Sequence, residues 1–421
     1  MRKISMWVIC LLITIAMIAP NKLLMAQTVR IGALFPISGP GAMYGQWSNN
    51  ALEIARDMIN ERGGLWGKKI EIVKGDAVDP KAAISEATRL ITNEKIQLIT
   101  GTNRSPLSVP ASEVANRNKV IYWEGSCEAD RITGRNLDYV FRPFVRSSTK
   151  AIPIVDYCEK VVAPALKKDP KDLRIAIAFD QGDAGVDSSN AFIDLAKKHG
   201  LKIVIALPHD GSSLDFSSDV MRLKATRADF LYFATYLDTT AVFWRQARDL
   251  DFNIPGGCCG TGAVDGLHNI LKGPEVDYWL DCEGPSIIGT SFLSEKSRSN
   301  ISELRSRYRA KYKDEVPYIA ILTFGHAMIL FEDVLPRAGS LDPEVVRKAA
   351  MATDIPEGGT IFGYGVKFYP PGHPQQGQNE RVFAVLTQYQ NRKMVTVWPQ
   401  KVQVSKAWCP VPSWAERAAK K

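Results

Sequence analysis

The segment Val29–Gln46, VRIGALFPISGPGAMYGQ, decides the reading of this chain. Val29 to Phe35 is an apolar run of strand length, and Ile37 to Gly45 is a glycine-rich loop. From Trp47 to Arg62 the apolar residues Leu52, Ala55 and Ile59 recur at helical spacing, and Gly63-Gly64 stops them. A buried strand, a glycine loop and an amphipathic helix make the first unit of a parallel α/β sheet. Gly39, Gly41 and Gly45 sit where a dinucleotide fingerprint would, but the spacing GxGxxxG is one residue too long. A tight strand-to-helix turn is the better reading, and no cofactor is expected. The loop still belongs to the wall of a site, because open α/β sheets bind ligands beyond the carboxyl ends of their strands.

The rhythm continues outward. Ile70 to Val73 reads as a strand, and Pro80 to Asn93 as a helix with Asp79 as N-cap and Pro80 in its first position. Ile96 to Thr100, Leu107 to Arg117 and Val120 to Trp123 extend the alternation. A second unit repeats it: strands at Arg174–Phe179, Ile203–Leu207 and Phe230–Ala234, helices at Val186–His199, Phe216–Ala225 and Thr240–Leu250. Two such halves predict two similar sheets, one per lobe. The tail reads as three helices (Ile301–Lys313, Tyr318–Leu335, Pro343–Thr353), then strands at Val366–Phe368, Arg381–Tyr389 and Met394–Trp398, with fraying from Ala415 onward.

The N-terminus supplies the compartment. A basic head, Met1-Arg2-Lys3, precedes an apolar run from Met6 to Ala19, and Leu24-Met25-Ala26 offers a small residue before a cut. These are the marks of a secretory signal peptide over residues 1–26, and the run is shorter than the ~20 residues of a spanning helix. No other segment is expected to reach membrane length. Gln27 to Lys421 is too long for one compact core and predicts two domains. Loss of Arg2, Lys3 and Lys22 takes the formal charge from +8 to +5, scattered without a basic stripe. No nucleic-acid partner is expected.

Seven cysteines fall to six without Cys10, too few for a disulfide-dense scaffold. Cys258, Cys259 and Cys282 lie in one neighbourhood, and one bridge among them is expected. A zinc site built from these and His268 is disfavoured, because adjacent cysteines suit tetrahedral geometry poorly. No GxSxG elbow, HExxH, P-loop or EF-hand pattern is present, and the five histidines are dispersed. Glu124, Glu128 and Asp130 could pair as catalytic carboxylates, but loop carboxylates are usually solvated. Ser105, ahead of Pro106, reads as a helix N-cap, either purely structural or one that also turns the N–H groups of Leu107 and Ser108 toward a ligand.

Four stretches then resemble one family. VRIGALFPISGPGAMYGQ, GTNRSPLSVPASEVANRNKVIYW (101–123), DFLYFATYLDTTAVFWRQARDL (229–250) and GQNERVFAVLTQYQNRKMVTVWP (377–399) are similar to the solute-binding proteins of branched-chain-amino-acid-type ABC importers. The resemblance runs nearly the whole mature chain. It implies an α/β type I periplasmic binding protein fold, two Rossmann-like lobes joined by three crossovers, near Ser147, Gly289 and Gly372. Lobe I is then 27–146 with 290–372, and lobe II is 147–289 with 373–421. It implies a periplasmic monomer, not an enzyme, that closes by a hinge on a small solute and delivers it to an inner-membrane ABC permease. A ligand-sensing regulator on the same fold is the rival, and the signal peptide speaks against it.

Carried over residue by residue, Tyr44 matches the aromatic residue of the first loop and Ser105 the serine that holds a ligand carboxylate. Ser126 and Cys127 fall where backbone groups line the site, and Tyr236 matches the aromatic residue of the second lobe. Three positions depart from the pattern. Glu128 stands for a threonine and Asp183 for a tyrosine, and Gly257-Cys258-Cys259-Gly260 offers no acid for an ammonium. Glu128 could pair an ammonium but would repel a carboxylate at Ser105, and Arg104 either offsets that repulsion or faces solvent. The departures speak against a standard branched-chain amino acid. Tyr44, Trp123 and Tyr236 would suit a flat or aromatic solute or a small amide.

Overall fold

A computed structural model describes residues 28–261, 266–285 and 293–419. The leader and the crossover expected near Gly289 lie outside the described residues. The first sheet is fully parallel, with strand order β2 (Ile70–Asp76), β1 (Val29–Phe35), β3 (Leu98–Gly101), β4 (Ile121–Trp123) and β5 (Val140–Phe141). Helices α1 (Ala42–Glu61), α2 (Pro80–Thr92) and α3 (Ser105–Arg117) connect its strands. Asp79 caps α2 by accepting from the Ala82 N–H, as the sequence predicts, a contact worth about 1 kcal/mol.

Helix α1 begins before the expected Trp47, because a 3-10 turn at Gly39–Gly41 runs directly into it. Gly45 therefore lies inside the helix. A Cβ there would stand 1.8 Å from the Pro36 carbonyl oxygen, so only glycine lets the helix seat against the end of β1.

The second lobe holds a seven-stranded sheet. Strands β6 (Arg174–Asp180), β7 (Lys202–His209), β8 (Phe230–Ala234), β9 (Cys258–Gly260) and β10 (Leu280–Glu283) are parallel. Strands β11 (Val385–Gln390) and β12 (Lys393–Trp398) add an antiparallel hairpin beside β10. The order is β12-β11-β10-β9-β8-β6-β7. Helices α4 (Ala151–Tyr157), α5 (Asp183–Lys198), α6 (Ser217–Ala225), α7 (Leu237–Asp249) and the short α8 (Leu267–Ile270) belong to this lobe.

The chain then returns to the first lobe as α9 (Glu295–Tyr312), α10 (Tyr318–Ile329), α11 (Leu335–Ala338) and α12 (Pro343–Met351). A π-helical turn joins α10 to α11 into one run, Tyr318–Ala338, that is long and apolar enough to cross a membrane, contrary to the sequence expectation. Its window is 83% buried and packs against α1, so it is a core helix of lobe I.

The third crossover falls later than Gly372. Gln378 and Asn379 still bond lobe I, through Arg142 and the Pro143 carbonyl, so the chain leaves only between Asn379 and Val385. Val366 and Phe368 make isolated bridges, to Ile355 and Asn379, in place of the expected strand. The C-terminal residues do not fray at Ala415: α13 (Trp414–Ala419) docks on lobe II, with the Arg417 guanidinium 4.1 Å from the Trp414 ring and 5.7 Å from that of Trp244.

All six cysteines of the described chain are free, so the expected bridge is absent. Cys258 and Cys259 face opposite sides of β9, as neighbours in a strand must. Cys259 pairs with Leu280, which leaves Cys282 two residues further along β10. Strand spacings put that pair about 8 Å apart, beyond the ~7 Å reach of a disulfide.

Candidate functional site

Each sheet has a point where strand order reverses, between β1 and β3 in lobe I and between β6 and β8 in lobe II. Loops leaving opposite sides of such a point part and open a crevice at the carboxyl ends of the strands. The two crevices face one another. Tyr44 follows β1, Asn103 to Ser105 follow β3, and Ser126 to Glu128 follow β4. Asp180 ends β6, Tyr236 follows β8, Thr261 follows β9 and Glu283 ends β10, all lining the same cavity. Its volume is about 120 Å³. That approaches the ~150 Å³ apolar cavity that accepts a benzene ring, so the space fits one small solute and not a peptide.

The loop after β4 is fixed from below by buried side chains. The Glu124 carboxylate accepts the Ser126 and Cys127 N–H groups, each at 2.9 Å, and the Ser108 hydroxyl. The Gly125 carbonyl meets His326 Nδ1. Arg142 donates to the Ala129 carbonyl at 2.7 Å and to Gln378 Oε1 at 2.5 Å. Burial raises the Glu124 carboxyl from 4.5 to about 7, against the pull of these donors. Burial also lowers His326 to about 3, keeping the imidazole neutral. The loop is therefore held without drawing on ligand contacts.

Ser126 and Cys127 line the cavity, but their N–H groups turn inward to Glu124 and do not serve a ligand. Ser105 also lines it, with a changed role. Arg104 is the N-cap of α3, its carbonyl accepting from Leu107 and Ser108, so those two donors are spent inside the helix. The Ser105 hydroxyl accepts the Ala129 N–H at 3.2 Å and ties α3 to the loop after β4.

Arg104 reaches across the cleft, with its guanidinium carbon 5.2 Å from the centre of the Tyr236 ring. Arg131 to Asp183 at 3.5 Å and the Asp130 N–H to Asp187 at 2.8 Å join the lobes along the rim. Burial pushes the Tyr236 phenol above its usual range, so it stays a neutral hydroxyl.

Two expected residues lie elsewhere. Trp123 is 0% exposed, stacked near Phe141 and edge-on to Phe368, and its indole N–H donates to the His326 carbonyl. Strand β4 is interior to a covered parallel sheet, so both its faces are core. Asp183 turns to Arg131, and the lining position beside Gly185 is Ala184, a methyl group.

Glu128 lines the cavity as expected, but it is already paired: Lys150 Nζ lies 2.5 Å from it and 2.9 Å from Glu283. Lys150, Glu283 and Asp180 are absent from the sequence reading. Asp180 is 7% exposed, accepts the Gly182 N–H at 2.7 Å, and has no cation partner among the described residues. The only signal for it was its place at the end of an apolar strand. No group of His, Cys, Asp or Glu suited to a metal ion occurs among the described residues.

A profile of the family described as periplasmic binding protein matches residues 28–386. The Leu/Ile/Val-binding protein homolog 7 of Brucella suis biovar 1 (strain 1330) is 33% identical over 395 residues, covering 91% of this chain and 94% of its own. The chain belongs to the periplasmic binding protein family. The fold of this binding protein is shared by solved relatives of lower identity. The branched-chain amino acid transporter substrate binding protein LivJ of Streptococcus pneumoniae, in complex with isoleucine, superposes with a TM-score of 0.73 at 22% identity, covering 88% of this chain and all of the other (100%). A solute binding protein of R. palustris in complex with 4-hydroxybenzoate gives 0.72 at 20% identity, covering 92% and 99%.

The family match begins at residue 28, directly after the leader, in keeping with cleavage near Ala26. The binding protein is periplasmic, is not an enzyme, and captures a small solute between its lobes for an ABC importer.

Proposed function

We propose that the solute is amino-acid-like: a compact body carrying a carboxylate at one end and an amine at the other. One observation carries this reading. Arg104, which has no ion pair among the described residues, shares a single small cavity with three carboxylates, Glu128, Asp180 and Glu283. A ligand with both charges satisfies both sides, whereas burying either charge unpaired costs several kcal/mol. The acids also answer the missing ammonium partner of the sequence reading, since Glu283 and Asp180 supply lobe II carboxylates that β9 lacks. Tyr44, Tyr236, Leu237, Ile319 and Leu322 enclose an apolar or aromatic body. The names of the similar proteins, a Leu/Ile/Val-binding homolog and an isoleucine complex, support the same class. The protein acts as a monomer, without nucleic acid.

A thermal-shift screen of the mature protein against amino acids, primary amides and aromatic acids tests this. Ligand at 1,000 times its Kd contributes about 4 kcal/mol and raises Tm. Amino acids are expected to give the largest shifts. A shift confined to amine-free aromatic acids, such as 4-hydroxybenzoate, would sink the proposal.

A further inference from the structure

Three charges from three parts of the chain meet at one end of the cleft. Glu128 comes from the loop after β4, Lys150 from the first crossover, and Glu283 from the end of β10. The Lys150 ammonium is 1% exposed and sits between the two carboxylates at 2.5 and 2.9 Å. All three line the solute cavity. With both acids ionised the cluster would carry one uncompensated negative charge out of water, which is costly. A second observation points to a ligand in the same space. Thr235 lines the cavity and is 4% exposed, and its buried hydroxyl has no hydrogen-bond partner.

We propose that Glu128 and Glu283, bridged by Lys150, form the seat for the solute's amine, and that the amine displaces a proton the two carboxyls share. This rests on the amino-acid-like reading above. Burial and the neighbouring Glu283 hold the Glu128 carboxyl well above its usual range, more than Lys150 pulls it down. Two acids set on one buried ammonium are one cation short of balance, so the pair keeps a proton, as neighbouring carboxyls do. The other groups facing the cluster do not change this sign. Tyr232, Tyr236, Tyr318 and Cys282 are buried with their ionisation pushed upward, so they stay neutral. Arg142 also acts on Glu128, but burial and Glu283 outweigh it.

The exchange balances. An ammonium enters, the shared proton leaves Glu128 for solvent, and the seat then holds two carboxylates against two cations. The free protein binds more protons than the complex, so amine affinity rises with pH until Glu128 is ionised in the free protein. A carboxylate seated on Lys150 would do the reverse and take up a proton.

The test is calorimetric titration of the mature protein with the standard L-amino acids, in phosphate and in Tris, whose ionisation enthalpies differ. 4-Hydroxybenzoate serves as the amine-free control. Release of close to one proton per bound amino acid is expected, with affinity rising up to tenfold per pH unit while Glu128 stays protonated in the free protein. Glu128→Gln should abolish the release and weaken binding, and Glu283→Gln gives the same reading where the first variant fails to fold. Amino-acid binding without release, with uptake, or with release unchanged in both glutamine variants overturns the seat while leaving the amino-acid reading intact. Binding of 4-hydroxybenzoate alone overturns both. In the free protein, below the pH at which amine affinity levels off, the infrared difference between wild type and Glu128→Gln should show the lost band of a protonated carboxyl. A difference without that band overturns the shared proton even with no ligand present.

Discussion

Glu124→Gln should abolish a pH dependence of stability that Glu124 alone imposes. In the folded chain the carboxyl is fully buried and rises from 4.5 to about 7, chiefly through loss of solvation. Between these values the native state holds a proton that the unfolded state has released. Stability then falls as pH rises from about 4.5 to 7 and is level above it. At ~1.4 kcal/mol per decade, the loss contributed by this group is about 3 kcal/mol. Glutamine keeps the acceptor oxygen for the Ser126 and Cys127 N–H groups but cannot ionise. Urea unfolding of both proteins at pH 4.5 and pH 8 isolates the effect, because other titrating groups, including His326, cancel in the difference. The variant should gain about 3 kcal/mol on wild type between the two conditions. Parallel stability curves would refute the burial argument. Glu124→Leu removes the acceptor altogether, so it should destabilise at every pH by about 1–3 kcal/mol per orphaned donor.

Three further outcomes follow from the geometry. Tyr236→Ala removes the ring beneath Arg104 and should weaken solute binding about tenfold or more by calorimetry, with Tm nearly unchanged; unaltered affinity would remove Tyr236 from the site. Gly45→Ala forces a methyl into the Pro36 carbonyl and should cost about 2 kcal/mol or more, read as a lowered urea midpoint, whereas a neutral result would show that α1 can move off β1. Arg417→Ala uncovers the Trp244 and Trp414 rings and should cost about 1–2 kcal/mol with no change in solute affinity, checked by melting and calorimetry together.

The sequence made the parallel strands visible because a strand covered on both faces is a short unbroken apolar run, as at Val29–Phe35 and Phe230–Ala234. Strand β9 has no such run. Cys258-Cys259-Gly260 is too short and too small to announce itself, and it forms because β8 and β10 offer hydrogen bonds on both sides. Aromatic character misled at Trp123, since burial in a core and contact with a ligand favour the same residue type. Ser105, Arg104 and Tyr236 were legible because each follows a strand end at a switch point. Lys150 and Glu283 were not, being 133 residues apart and joined only by folding.

The order of the strands also governs how this chain must mature. Strand β10 gains its second neighbour only from β11, more than a hundred positions later, as in the pairing of Leu280 with Gln388. Helices α9 to α12 of lobe I lie between them. Neither lobe is contiguous, and each waits on a segment that follows part of the other. Closing such distant pairings is slow, because the loop entropy is lost before the contacts form. A partly emerged chain therefore has an unfinished sheet edge and an uncovered lobe I face. For a protein that carries a secretory leader, that delay has a use. The chain stays threadable until nearly all of it has crossed the membrane, and both halves of the trap are completed together on the far side.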